Sequence, residues 1–87
     1  MFEIGKSYFF RLATYHVVGR VEEVRDGLIR LSSASWIADS GRLSRALKNG
    51  FESENSSEIE PTGDHIISAA ALIDAVPYNH DLPKEVK

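Results

Sequence analysis

The chain has 87 residues, with 10 Lys and Arg against 13 Asp and Glu, a formal net charge of −3 and no cysteine. This length suits one small domain, and the lack of cysteine excludes a disulfide framework and a zinc–thiolate site. The negative charge disfavours strong non-specific binding to nucleic acid, which depends on Lys and Arg contacts with phosphate. The first ten residues do not resemble a signal peptide, and no apolar run approaches the ~20 residues of a membrane span. We therefore expect one cytoplasmic domain over residues 1–87 and no membrane partner.

The first half of the chain predicts three consecutive β-strands. Aromatic and β-branched residues over 7–14 and 17–25 predict the first two strands. The apolar alternation over 28–33 predicts the third, which can continue through 36–38.

Two glycines in this segment indicate how the strands turn. Asp26-Gly27 lies between the second and third strands, and Asp-Gly between apolar alternations is a strong hairpin signal. Gly19 lies within the second strand, where a glycine marks a bulge or a sharp bend. A strand that bends sharply just before a tight turn is typical of a small closed barrel.

The first strand carries apolar side chains on both of its faces. Tyr8, Phe10 and Leu12 share one face because strand side chains alternate, and Phe9 and Arg11 point the opposite way. We assign Phe10 to the core. Phe9 and Arg11 are candidates for a contact between subunits.

A short helix of two to three turns is predicted over residues 39–50. Leu43 and Leu47 recur at helical spacing, and Gly50 is suited to the position just past the helix. Asp39 or Ser40 can cap its start. The polar and acidic residues 51–64 then predict an exposed loop, so that 39–64 forms an inserted helix and loop.

The segment 65–76 has two possible interpretations. The run SAAALIDAV has good helix propensity, and Ser68 can cap such a helix. The same residues also fit two short strands joined at the alanines, and we favour strands because a barrel needs closing strands. Pro77 ends the element in either case. Residues 78–87 are expected to form an extended tail.

These apolar blocks resemble the bipartite signature of Sm-like proteins, the LSm and Hfq group. The first block matches in its bend glycine and its acidic turn, and the second in a short strand, a tight turn and a strand that ends near proline. The matching residues are Gly19, Val21, Val24, Asp26, Gly27, Leu28, Ile29, Arg30 and Leu31, and then 66–77. The resemblance implies an all-β fold, a small bent five-stranded SH3/Sm-like barrel with one short inserted helix.

The resemblance also implies how copies of the chain associate, because such barrels pair their last strands edge to edge and close into rings. It makes the chain its own expected partner in a homo-oligomeric ring. The predicted interface consists of Ile66, Ile67, Leu72, Ile73 and Phe9. The leading hypothesis is a non-enzymatic structural or assembly protein.

The alternative hypothesis is a nucleic-acid-binding ring of altered specificity. The RNA-binding asparagine of the family has no match after Asp26, and Ser68-Ala69 replaces its arginine-glycine pair. Binding to RNA is therefore possible but not favoured. The candidate nucleic-acid contacts are Arg11, Tyr15, Arg20, Arg25, Arg30 and Trp36. Trp36 fits a core position and a subunit interface equally well.

No residue pattern indicates catalysis or a cofactor. His16, His65 and His80 do not have the spacing of a compact metal site. No serine lies in a nucleophile elbow, and the glycines do not form a phosphate-binding loop. We expect no enzymatic activity, no metal and no cofactor.

Overall fold

The computed structural model describes residues 2–39, 42–53 and 57–87 of the chain. The strands, the helix and two short 3₁₀ turns follow one another along the chain. They are β1 (Ser7–Leu12), β2 (His16–Arg25), β3 (Leu28–Asp39), α1 (Leu43–Asn49), a 3₁₀ turn (Phe51–Ser53), β4 (Glu58–Ser68), a second 3₁₀ turn (Ala69–Ala71) and β5 (Leu72–Pro77).

The five strands form a single antiparallel sheet in the order β4-β3-β2-β1-β5. The predicted all-β class is confirmed. Strands β4 and β5 are the two edges of this sheet, and no ladder joins them to each other within the described residues. The two strands that come last along the chain are therefore the ones with an open side.

The hairpin between β2 and β3 is confirmed at Asp26-Gly27. Arg25 faces Leu28 across the turn, so that the loop has two residues. Both loop residues have positive φ, 52° at Asp26 and 75° at Gly27. This is the backbone of a type I′ turn, which matches the right-handed twist of the flanking strands.

The predicted bend at Gly19 is confirmed by the register of β2 and β3, which shifts between Val18 and Arg20. A Cβ atom built on Gly19 would lie 3.1 Å from the Ala34 Cβ and 3.2 Å from the Leu31 Cβ. Glycine therefore allows the two strands to approach closely without displacing these side chains. Opposite it, Ser33 of β3 has φ 50°, and Gly63 of β4 has φ 75°.

The bent sheet packs apolar side chains on both of its faces, and this produces two core clusters. The inner cluster lies on the concave face, and Phe10 in it is fully buried as predicted. Its members are Tyr8, Phe10, Leu12, Val17, Val21, Ile29, Leu31, Ala34 and Ile67. The outer cluster lies under α1 and the tail, and consists of Phe9, Val18, Ile37, Ala46, Phe51, Ile59 and Tyr78.

The inserted helix is shorter than predicted and begins later. Its N-cap is Arg42, whose side chain makes no capping bond, and Asp39 is the last residue of β3. Ser40, the other predicted cap, lies outside the described residues. Gly50 follows the helix as predicted, with φ 93° and its N–H donating to the Ala46 oxygen at 2.7 Å. No helix among the described residues has the length and apolarity to cross a membrane.

The structure differs from the exposed loop expected over 51–64. Phe51 is fully buried and packs against Tyr78, whose hydroxyl accepts a hydrogen bond from the Phe51 N–H at 2.9 Å. From Glu58 onward the segment is β4, in which Ile59 is buried. One side of β4 faces solvent and carries polar residues, so the composition of the segment predicted a loop and not a strand. Residues 54–56 lie outside the described part.

The two interpretations of 65–76 are resolved in favour of strands. β4 ends at Ser68, three alanines form a 3₁₀ turn, and β5 begins at Leu72. The Ala69 N–H donates to the Gly27 oxygen at 2.8 Å, which ties this turn to the β2–β3 hairpin. Tertiary pairing therefore overrides the helix propensity of the alanine run.

We expect Gly19→Ala to destabilise the fold by about 1–3 kcal/mol, the usual cost of inserting a methyl group into a well-packed core. The added Cβ would lie 3.1–3.2 Å from Ala34 and Leu31, so these side chains would have to shift by a few tenths of an ångström. The free energy of unfolding from urea denaturation measures the effect. The double variant Gly19→Ala/Ala34→Gly removes the closest contact and should recover part of the loss. A single variant as stable as the wild type would contradict the steric account of the bend.

We expect Ser35→Ala to stabilise the fold by about 1 kcal/mol, because an unsatisfied buried hydroxyl carries a desolvation cost. Ser35 is fully buried opposite Val18, and its Oγ has no hydrogen-bond partner in the described part of the chain. Thermal unfolding of the variant tests this. Ser32→Ala is the matched control on the same strand, since Ser32 donates to Glu22 and should not be improved by loss of its hydroxyl. An equal or lower stability of Ser35→Ala would show that its hydroxyl is solvated.

Candidate functional site

The two open edges of the sheet carry exposed isoleucines. Ile66 on β4 and Ile73 on β5 each expose 60% of their surface. Leu72 is half-buried against the inner cluster, whereas Ile67 lies inside it at 2% exposure. Of the predicted interface residues, Ile66 and Ile73 are thus the ones a partner can reach most fully. Phe9, also assigned to the interface, is buried in the outer cluster beneath α1.

The chain itself covers one half of the β4 edge. The Ile59 N–H donates to the Lys87 oxygen at 2.8 Å, and the Lys87 N–H donates to the Ile59 oxygen at 2.9 Å. The Lys87 ammonium also donates to the backbone oxygens of Phe51 and Glu52. The tail expected to be extended is therefore held at its last residue against the start of β4, and within the described residues no strand pairs with the open side of β4 around Ile66.

A small cavity lies on the face of the sheet where β2, β3 and the Ile66 half of β4 run side by side. It has a volume of about 160 Å³ and an apolar side formed by Leu28 and Ile66. Leu28 exposes 49% of its surface, which adds to the apolar area next to the edge. Charged side chains complete the lining: Glu23, Arg25, Asp26 and Arg30.

The candidate nucleic-acid contacts do not form an unpaired basic strip. Arg11 on β1 makes a two-pronged pair with Asp74 on β5, with its Nε 3.0 Å from Oδ1. This hydrogen bond, and then the negative charge of Asp74, raise the pKa of Arg11. The pair links β1 to the edge strand and is exposed to solvent.

The three arginines of the hairpin are also paired. Arg20 Nε lies 3.1 Å from Glu22, while Arg25 Nε and Arg30 Nε each lie 3.4 Å from Glu23. A hydrogen bond from Ser32, followed by one from Arg20, lowers the pKa of Glu22, which favours its charged form. The carboxylates offset the positive charge available for phosphate.

Three aromatic rings meet on the surface next to the bend. Tyr15 lies in the β1–β2 turn, Trp36 on β3 and His65 on β4, and the structure brings them together. The ring centroids are 5.7 Å apart for Tyr15–Trp36, and 6.4 Å apart for both Tyr15–His65 and Trp36–His65. Trp36 exposes 48% of its surface and Tyr15 36%, so neither fills the core. We call Tyr15, Trp36 and His65 the aromatic triad.

Backbone and side-chain hydrogen bonds hold two members of the aromatic triad in place. The Leu12 N–H donates to the Tyr15 oxygen at 3.0 Å, which fixes the β1–β2 turn. His65 Nδ1 lies 2.9 Å from the Thr62 hydroxyl. Partial burial lowers the pKa of His65, because desolvation disfavours the imidazolium.

Sequence reasoning selected Tyr15 and Trp36 but not His65 as a neighbour of either. His65 was considered only for a metal site with His16 and His80. The structure places His16 against Phe9 and hydrogen-bonds His80 Nε2 to the Leu47 oxygen at 2.8 Å. The described residues contain no group of three or more side chains arranged to hold a metal. His65 lies near Trp36 because of the register of β4 against β3. The sequence did not reveal this register, because the acidic composition of residues 51–64 predicted a loop.

Comparisons with known proteins do not assign the chain to a family. No protein-family model matches it, and no curated protein or solved structure matches it significantly.

We expect the His65 imidazole to titrate below the ordinary histidine pKa of 6.5 in the folded protein. The unfolded chain then takes up this proton first as the pH falls. The free energy of unfolding therefore decreases as the pH falls from 6.5 to the pKa of His65 in the folded protein. NMR titration of the His65 ring protons measures the pKa, and His65→Gln should remove this part of the pH dependence of stability. A His65 pKa at or above 6.5 would contradict the desolvation account.

Proposed function

We propose that this chain is a non-enzymatic assembly protein with a small Sm-like barrel, and that its copies join edge to edge into a ring. The observation that carries the proposal is the exposure of Ile66 and Ile73 on the two opposite edges of one sheet. Open edge strands with apolar side chains are pairing surfaces unless they are covered or charged. One edge of a copy can pair with the other edge of the next.

This arrangement makes the interface heterologous, because two different surfaces of the chain meet. Heterologous contacts build a ring when the rotation between copies closes, and a filament when it does not. The bonds between Lys87 and Ile59 leave only the half of β4 around Ile66 free for such pairing. The cavity between Leu28 and Ile66 offers a place for an isoleucine of the next copy, with Ile73 as the matching side chain.

We expect native mass spectrometry to find the wild-type protein at five to twelve times the mass of the chain. Ile66→Lys and Ile73→Lys should each reduce it to small species, because a buried lysine is costly at an apolar strand pairing. Ile4→Lys is the matched control, since Ile4 is exposed to 61% outside the sheet. Ile67→Lys would not test the interface, because Ile67 is buried in the core and the variant would disturb the fold. A monomeric wild type would refute the ring.

A mixing experiment distinguishes this geometry from a symmetric dimer. The Ile66→Lys variant keeps an intact β5 edge, and the Ile73→Lys variant keeps an intact β4 edge. An equimolar mixture, with one variant labelled with ¹⁵N, should therefore form heterodimers and nothing larger. A mixture that stays monomeric, or variants that each form homodimers, would contradict the pairing of β4 with β5.

The alternative of a nucleic-acid-binding ring has less support, because Arg11, Arg20, Arg25 and Arg30 are paired with carboxylates. The same mass spectra test it. Additional mass that nuclease removes would favour nucleic acid, and its binding should then fall steeply with added salt.

A further inference from the structure

We propose that Tyr15, Trp36 and His65 form an open aromatic cage that binds a methylated ammonium group. The rings come from three separate segments, a turn and two strands, which the bend of the sheet brings side by side. Two of them are more than a third exposed. Large aromatic side chains that the fold holds together at the surface are a feature of binding sites.

The spacing of the aromatic triad suits a single cation. The centroids form a triangle with sides of 5.7, 6.4 and 6.4 Å. Its centre is about 3.6 Å from each centroid, so a cation up to about 4.8 Å above it lies within ~6 Å of all three centroids, the distance at which a ring face attracts a cation. The rings are inclined to one another by 40° to 61° rather than stacked. Inclined faces can surround a rounded group, whereas a flat nucleobase needs a ring parallel to it.

The charges around the aromatic triad favour a cation over a phosphate-bearing ligand. Glu60 is the cross-strand partner of Trp36 on β4, so the two side chains lie on the same side of the sheet. No described Lys or Arg forms an ion pair with the Glu60 carboxylate. His65 itself adds no repulsion at neutral pH, because partial burial lowers its pKa and keeps the ring uncharged.

The chemistry of the aromatic faces favours a methylated ammonium over a simple one. An unmodified lysine ammonium is strongly hydrated and has N–H groups that need acceptors. Aromatic faces replace few of those hydrogen bonds. Methyl groups remove the N–H donors, spread the positive charge and present an apolar surface to the rings. A methylated lysine side chain and a choline-type molecule share this group.

Trp36 is the only tryptophan of the chain, so its fluorescence reports directly on the site. The full-length protein is titrated with tetramethylammonium chloride at constant ionic strength, with sodium chloride and neutral 3,3-dimethylbutanol as controls. We expect a saturable change with tetramethylammonium alone. An equal response to the neutral alcohol would show a merely apolar patch and overturn the proposal. So would a saturable response to a nucleotide in place of the cation.

Variants test the contribution of each group. Tyr15→Leu and His65→Leu should each weaken binding about tenfold, the effect of losing one cation–π partner at a partly desolvated site. Glu60→Gln should weaken it by a smaller factor. Glu3→Gln is the matched control, because Glu3 lies beside Tyr8, Pro77 and Tyr78 rather than beside the aromatic triad, and it should leave binding unchanged. Amide NMR spectra confirm that each variant is folded, and binding that survives both ring variants would refute the cage.

The source of the methylated group is identified by two further titrations. One uses a short peptide that contains trimethyllysine, with the unmethylated peptide as its control, and the other uses choline. Preference for the methylated peptide assigns the site to protein recognition, and preference for choline to a small molecule. If neither the methylated peptide nor choline binds, and tetramethylammonium gives no response, the proposal is overturned. The assay does not need the ring, so it can fail or succeed independently of the proposed assembly.

Discussion

The contact between Gly19 and the facing side chains of β3 determines the shape of the whole sheet. A Cβ atom at this position would come within 3.1 Å of Ala34 and 3.2 Å of Leu31, closer than the optimal separation of about 3.5–4.0 Å between packed carbon atoms. Without that Cβ, β2 and β3 can fold sharply over each other. Ser33 on β3 has a left-handed backbone at the same level, which costs free energy for a residue with a side chain. Burial of the apolar side chains of the inner cluster by the curved sheet offsets this cost.

The bend also decides which surfaces remain open. Both faces of β1 are buried, with Phe10 in the inner cluster and Phe9 beneath α1. Among the described residues no sixth strand joins the sheet, and Lys87 pairs with β4 only at Ile59, so Ile66 and Ile73 stay exposed. Beyond the bend, β3 carries Trp36 past the end of the inner cluster to the surface, where it meets Tyr15. The bulge around Thr62 in β4, opposite the step from Ala34 to Ser35, then brings in His65.

The features that follow from local backbone chemistry could be predicted from the sequence. Asp26-Gly27 fixes a tight turn and Gly50 ends a helix because both glycines have positive φ. Gly19 within an apolar strand predicts a bend, and the facing side chains of β3 show why the position needs a glycine. The extent of β4 could not be predicted, because Glu58, Glu60 and Asp64 point to solvent and give the segment the composition of a loop. Phe9 was placed at an interface because the alternation of β1 shows that it leaves the inner face. Alternation cannot show that α1 covers the other face.

The two proposed sites lie on consecutive residues of one strand. His65 and Ile66 face opposite sides of β4, so that pairing through Ile66 leaves the aromatic triad accessible. A ring would then carry one cage on each copy, all with the same orientation. A single cation–π site binds weakly, and several identical sites on one rigid body raise the effective concentration for a partner with repeated methylated groups. Assembly through the sheet edges would in this way turn a weak contact into a selective one, because only a partner with several such groups at matching spacing gains from it.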